Sequence, residues 1–253
     1  MVKARNPAGE RDASSSHLGL ILGLSIASGF LVFSARQAAM YALPKLVALC
    51  AGAFAAWACA WAEHRRGGPA ARATPLDRPL IALAAAVIVS AFFSQDRFLS
   101  LIGHYQMYAY GVLGFLLCAA LFYAAARAEG EQAWDMVLRA TLLAGFAAAL
   151  YGLLQRAGVE PFIGVSKKLP EMRIISSQGS PVYLGACLAL TAPAALHFAF
   201  SRDISIRCLG AISFTVMAAA LWLTMSRAAW LGTACACISY LLWTGPVPIR
   251  VVE

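Results

Sequence analysis

Charged residues are scarce in this chain. Asp, Glu, Lys and Arg make up 13% of its 253 residues, whereas Ala, Val, Ile, Leu, Met, Phe, Trp, Tyr and Cys make up 61%. Globular proteins average about 25% charged and roughly 45–50% apolar residues. An apolar excess of this size is covered by lipid rather than by water. The composition therefore argues against a soluble domain and predicts a membrane protein.

The sequence also lacks the patterns typical of metal, nucleotide and nucleophile sites. Its seven cysteines show no Cys-x-x-Cys spacing, and its four histidines are far apart along the chain. The Walker A, Gly-x-Gly-x-x-Gly and Gly-x-Ser-x-Gly motifs are absent. We therefore expect no metal site, and we interpret the cysteines as small packing residues inside apolar segments.

The net charge of +8 does not come from a single basic face. The 20 Lys and Arg residues occupy short hydrophilic breaks between apolar runs, which argues against a nucleic-acid binder and favours a polytopic membrane protein. With the N-terminus inside, 12 of them fall in cytoplasmic segments and 8 in outer segments. The positive-inside rule then places both termini in the cytoplasm.

Eight apolar segments predict an all-α, polytopic transmembrane helical bundle. A crossing of about 30 Å needs roughly 20 apolar residues at 1.5 Å per residue, and the third segment is shorter than that. The predicted spans cover residues 18–35, 43–62, 80–93, 108–126, 136–154, 182–200, 208–225 and 228–243. They make one membrane domain of residues 1–253, with no soluble domain.

Two further segments are neither spans nor tight turns. Residues 96–108 place apolar side chains at helical spacing, which predicts a helix lying in the outer membrane interface. Residues 157–180 contain several Gly and Pro residues that interrupt a helix, together with basic residues. We interpret this segment as an outer loop, the outer loop long enough to build a binding site.

Two arginines in different outer segments are the strongest candidates for binding chemistry. Arg173 precedes the sixth predicted span and Arg227 begins the eighth. An arginine at the membrane boundary either anchors the helix by reaching the interface or binds an anion, and its planar fork suits a phosphate. Lys167 and Lys168 are either solvated loop charges or attract an anionic headgroup. Residues 179–181, Gly-Ser-Pro, end the loop and mark the start of a helix.

A general base is not singled out by the sequence. His104 is the histidine on the same side of the membrane as the basic loop, and it is either a base or an interfacial polar residue. The outer carboxylates Asp96, Glu160 and Glu171 are further candidates for accepting a proton from an attacking hydroxyl.

Several short motifs occur in a fixed order along most of the chain. They are residues 74–77 (Thr-Pro-Leu-Asp), 93–103, 151–155 (Tyr-Gly-Leu-Leu-Gln) with Gly158 and Pro161-Phe162, 173–185 and 223–232. The last two resemble an arginine followed by a Gly-Asn-Pro-Asn type helix start, and a Ser-Arg-Gly or Ser-Arg-Ala motif. In order and spacing these motifs resemble the O-antigen ligase and O-antigen polymerase superfamily of bacterial membrane glycan ligases.

The resemblance implies a multi-pass glycosyltransferase of the bacterial inner membrane, active in lipopolysaccharide biosynthesis or a related pathway. Its donor would be a polyprenyl-diphosphate-linked glycan on the periplasmic side, and its acceptor lipid A core, a glycan or a protein. It implies no nucleotide, metal or other cofactor, because the lipid diphosphate is already an activated leaving group. It assigns a catalytic role to Arg173 and Arg227. We also expect Lys167, Lys168, Ser180 and Ser226 to bind the substrate.

The chain departs from the family pattern in two respects. Ser180 stands where the family usually has Asn, and 26 residues follow Arg227 where family members continue through further spans and a loop with a required histidine. We therefore expect these residues to be the N-terminal portion of such a fold. The alternative to an enzyme is a non-catalytic truncated homologue or a subunit that binds polyprenyl phosphate; a transporter is a weaker third hypothesis, since the predicted spans lack buried charges.

Overall fold

The computed structural model describes residues 7–34, 41–65, 75–104, 111–126, 131–159 and 173–244. These residues form nine α-helices, one 3-10 helix and no β-strand. The helices are α1 (Pro7–Leu31), α2 (Ala42–Arg65), α3 (Asp77–Phe92), α4 (Arg97–Ile102), α5 (Val112–Ala125), α6 (Glu131–Arg156), α7 (Pro181–Ala199), α8 (Ile204–Leu223) and α9 (Arg227–Thr244), with the 3-10 helix at Ser176–Gln178. The predicted all-helical fold class is confirmed.

Four described helices are long and apolar enough to cross a bilayer, namely α2, α6, α7 and α8. Two shorter apolar segments lie at His17–Leu31 in α1 and at Val112–Ala125. The number of eight spans stays a prediction. The helix α3 has 16 residues and is about 24 Å long at 1.5 Å per residue. The helix α9 begins with Arg227 and contains Trp230, Tyr240 and Trp243, whose rings each carry a polar N–H or O–H group.

The helix predicted at residues 96–108 is shorter in the structure. Asp96 caps α4 by accepting a hydrogen bond from the N–H of Leu99 at 2.9 Å. The helix ends at Ile102 because Gly103 takes a φ of 91°, a conformation that interrupts helical hydrogen bonding. His104 follows it, and residues 105–110 lie outside the described part of the chain.

The chain divides into two compact units, Met1–Ala140 and Thr141–Glu253, so that the boundary falls within α6. In the first unit, small residues let helices approach closely. A Cβ on Gly19 would stand 2.7 Å from the backbone of Ala133 in α6. A buried cluster of α1, α2, α5 and α6 residues forms its apolar core, made of Leu18, Leu22, Ala56, Ala124, Ala133 and Val137.

In the second unit, α7 is the central helix and contacts both α8 and α9. It runs antiparallel to α8, since Gly185 lies beside Thr224 and Gly210 lies beside Phe198. It runs parallel to α9, since Gly185 lies beside Ala229 and His197 hydrogen-bonds Tyr240. The parallel register brings the first turns of α7 and α9 to the same end of this unit.

Candidate functional site

Arg173 is fixed to the turn between α8 and α9. Its side-chain Nε donates a hydrogen bond to the carbonyl oxygen of Thr224 at 2.9 Å, and the side chain is half-buried. The next residue, Ile174, donates its backbone N–H to the carbonyl of Leu223 at 3.3 Å. Two adjacent contacts therefore hold the segment that carries Arg173 against the end of α8, 51 residues away in sequence.

The same segment is attached to α6 through Ser176. The N–H of Ser176 donates to Oε1 of Gln155 at 2.7 Å, and its Oγ donates to the carbonyl of Ala148 at 2.6 Å. Gln155 and Ala148 are seven residues apart, so they lie on one face of the helix. Ser176 is fully buried, and buried polar groups of this kind are costly unless they are paired. These bonds fix the path of the chain into the 3-10 helix.

The turn between α8 and α9 is built by its own hydrogen bonds. The Oγ1 of Thr224 donates to the carbonyl of Leu221 at 2.7 Å and accepts from the N–H of Ser226 at 3.3 Å. The indole Nε1 of Trp230 also donates to Leu221, at 3.0 Å, and its ring stacks on Trp222 at 4.8 Å. Thr224 is fully buried and Ser226 is 7% exposed, so the turn is a packed element.

The N-termini of two helices lie at this end of the second unit. Gly179 has a φ of 70°, Ser180 is extended, and Pro181 opens α7, as the sequence predicted for this helix start. Arg227 opens α9, and its side chain is exposed, with no hydrogen-bond or ion-pair partner among the described residues. The N-terminus of an α-helix carries a partial positive charge, and this charge favours anions.

The structure gathers four of the six predicted site residues at this end of the second unit. Arg173, Ser180, Ser226 and Arg227 lie on the segment before α7 or on the α8–α9 turn. Lys167 and Lys168 lie outside the described residues. His104 belongs to the first unit, so nothing here ties it to the site.

Three residues that support the site carry no assigned role in the sequence analysis: Gln155, Ser176 and Thr224. Gln155 lay at the end of the 151–155 motif, and an amide at the end of an apolar run needs a hydrogen-bond partner if it is buried. Ser176 and Thr224 lay inside recognised motifs, but the contacts that make them important join residues far apart in sequence.

Cationic and N–H groups dominate the described site. In the described part of the second unit, Asp203 is the carboxylate and His197 the imidazole, and both lie near the α7–α8 connection, at the other end of α7. No group of three His, Cys, Asp or Glu side chains that could hold a metal occurs among the described residues. The chain matches no family model, no curated protein and no solved structure. The arrangement is chemically suited to an anion with several oxygens.

Proposed function

We propose that the chain is a membrane glycosyltransferase of the O-antigen ligase type, which moves a glycan from a polyprenyl diphosphate to an acceptor on the periplasmic side of the inner membrane. The observation that carries the proposal is the hydrogen bond from Arg173 to Thr224. Thr224 lies three residues before Arg227 in the sequence. The hydrogen bond brings two arginines of distant segments to one turn, beside two helix N-termini. Four apolar helices long enough to cross a bilayer supply the lipid setting.

The reaction has a clear demand for positive charge. An acceptor hydroxyl forms a bond to the anomeric carbon, the bond from that carbon to the phosphate oxygen breaks, and the hydroxyl proton passes to a base. The polyprenyl diphosphate leaves with the bonding electron pair. Preorganised cations and N–H groups at that oxygen stabilise the transition state, and this electrostatic contribution is often the largest in enzymes.

The two arginines would play different parts in this step. Arg173 donates its Nε–H to Thr224, so its orientation is fixed before a ligand arrives, and its two terminal amino groups can still donate to an anion. Arg227 is exposed at the start of α9 and can adjust to the ligand. In this proposal the eight-span topology, with both termini in the cytoplasm, puts this end of the unit on the periplasmic side.

The test is glycan transfer in membranes of a strain that lacks its own ligase. The full chain should restore transfer, and Arg173→Ala or Arg227→Ala should each lower it by a factor of about 100 or more, the loss seen when one transition-state donor is removed. The matched control is Arg202→Ala, an exposed arginine at the α7–α8 connection, which should leave transfer unchanged. If all three variants transferred glycan at the same rate, the proposed role of Arg173 and Arg227 would be refuted.

A second candidate is a non-catalytic subunit that binds polyprenyl phosphate. The observation that favours it is the place of the acid–base groups: in the second unit, the described carboxylate and imidazole lie at the other end of α7 from Arg173. This protein would retain the lipid phosphate without transferring a glycan. Binding of polyprenyl diphosphate that depends on both arginines, with no transfer, would select this function over the enzyme.

A further inference from the structure

Two residues other than glycine have a left-handed backbone among the described residues, and both belong to this site. Ser176 and Met225 each have a φ of 52°. L-residues with a Cβ seldom adopt this conformation, because Cβ then crowds the neighbouring carbonyl oxygen. Such conformations persist only where the surrounding structure fixes them, and they are concentrated at functional sites. Ser176 and Met225 are each within three residues of Arg173 or Thr224, so the cause of their left-handed conformations matters for this site.

Ser176 is explained by the contacts of its own backbone and hydroxyl. Gln155 and Ala148 each bind one of its polar groups, at 2.7 and 2.6 Å. Both are α6 residues, so that helix imposes the left-handed conformation. Met225 lacks such support from its side chain, which is 44% exposed. Its backbone N–H donates to the carbonyl of Trp222 at 3.1 Å.

The left-handed conformation of Met225 has a direct consequence for Thr224. In a continuous helix the carbonyl of residue 224 would accept a hydrogen bond from the N–H four residues later. A left-handed residue ends the helix and releases that carbonyl, as it does at many helix C-termini. The released oxygen of Thr224 is the acceptor for Arg173, and α9 then begins at Arg227.

We propose that Met225 is a positioning residue whose left-handed backbone sets Arg173 and Arg227 at one turn to receive a diphosphate. The inference rests on the proposed function, because the ligand is the diphosphate that the two arginines would bind. It adds that the backbone conformation at residue 225, and not the chemistry of the methionine side chain, determines the affinity.

The test compares isomeric side chains at this exposed position. Leu and Ile have the same atoms, but the branch at Cβ makes a positive φ far less favourable for Ile. The full chain in phosphatidylcholine nanodiscs is titrated with inorganic pyrophosphate by calorimetry. We expect Met225→Leu and Met225→Gly to keep the wild-type Kd within about twofold, and Met225→Ile to raise it by about tenfold or more.

Two controls separate positioning from a general loss of structure. Leu231→Ile introduces the same branch at a 68% exposed position within α9, and it should leave the Kd unchanged. Hydrogen exchange of residues 173–178 should quicken in Met225→Ile and stay at the wild-type rate in Met225→Leu. Each titration is made well below the melting temperature of the variant, so that the folded fraction is the same.

The outcomes distinguish the two proposals. If the wild type binds pyrophosphate and Met225→Ile binds it with the same Kd, the positioning role is overturned and the proposed function stays in place. If Met225→Ile does not fold, Met225→Val, which has the same branch at Cβ, replaces it: a weaker Kd than that of Met225→Leu supports the role, and an equal Kd overturns it. Absence of pyrophosphate binding by the wild type overturns the proposed function, and the positioning role with it.

Discussion

The two compact units of the chain bury different kinds of side chain. The first unit buries one described polar residue, Ser25, inside an apolar interior. The second unit buries eight. They are Gln155, Ser176, Ser177, Gln178, Thr191, Ser213, Thr224 and Ser226. Since most buried polar groups need hydrogen bonds, the second unit depends on specific partners, whereas the first depends on close packing of small and aliphatic residues.

The position of these polar residues matters more than their number. Six of the eight lie at the end of the second unit where Arg173 meets the α8–α9 turn, and two, Thr191 and Ser213, lie further along α7 and α8. Polar groups within an apolar helical protein are expensive and are usually retained for function. The buried polar residues therefore lie at the same end of the second unit as the arginines, and this agreement supports the candidate site. The following substitutions test the difference between the two units.

The largest effect is expected where Gly185 of α7 packs against Ala229 of α9. A Cβ on Gly185 would stand 2.6 Å from Cβ of Ala229, so Gly185→Ala should lower the free energy of unfolding by about 2–3 kcal/mol through overpacking. Denaturant titration in detergent micelles measures it. The double variant Gly185→Ala with Ala229→Gly should recover most of the loss. In the first unit, Gly29→Ala meets nothing within 4 Å and should cost nothing. Equal losses at both glycines would contradict the packing argument.

The next effect separates the two kinds of interior. Gln155→Leu removes the acceptor for the buried N–H of Ser176, so we expect a loss of about 1–2 kcal/mol in the free energy of unfolding. Ser25→Ala is the counterpart in the first unit, where the hydroxyl donates only to the carbonyl of Ile21 in its own helix. Its loss should be smaller than about 0.5 kcal/mol. If Ser25→Ala proved as destabilising as Gln155→Leu, the contrast between the units would fail.

Substitution of the two arginines should affect the stability of the protein differently, although both arginines are proposed to bind the ligand. Arg173→Ala removes a charge-assisted hydrogen bond to Thr224 from a half-buried side chain, which predicts a loss of about 1.5 kcal/mol in the free energy of unfolding. Arg227→Ala removes an exposed side chain, and the melting temperature should stay within about 1 °C of the wild type. Thermal unfolding followed by circular dichroism measures both. A large loss in Arg227→Ala would show that its side chain is a structural contact and not a group reserved for a ligand.

Hydropathy predicted the helices well and their ends less well. The segment predicted at 182–200 corresponds to Pro181–Ala199, but the segment at 208–225 corresponds to Ile204–Leu223, four residues earlier at its start. The difference arises because Asp203 caps α8, its Oδ1 accepting from the N–H of Ser205 at 2.8 Å. Such a cap is a polar signal, and a window of apolar residues does not register it.

The site itself was predictable only in part. Arg173 and Arg227 came from their positions at the predicted membrane boundary as well as from motifs, and Ser226 came from a motif. The structure brings these three residues to one turn. The bond between Arg173 and Thr224 joins residues 51 apart, and local periodicity carries no information about such a contact. The left-handed conformation of Met225 was also hidden, since methionine is not a residue that favours a positive φ.

The smallest effect concerns charge in the first unit. Asp135 accepts a hydrogen bond from Arg139 at 2.6 Å one turn later in α6, with both side chains about half exposed. Exposed pairs at this spacing contribute about 0.3–0.5 kcal/mol, because water and salt screen them. Asp135→Asn should lower the free energy of unfolding by that amount in low salt, and the difference from wild type should shrink in 0.5 M NaCl, a concentration about three times the roughly 0.15 M physiological ionic strength. A loss above about 1 kcal/mol that persists in salt would mean that the first unit also depends on a specific polar contact, and the distinction between the two interiors would then rest on the site alone.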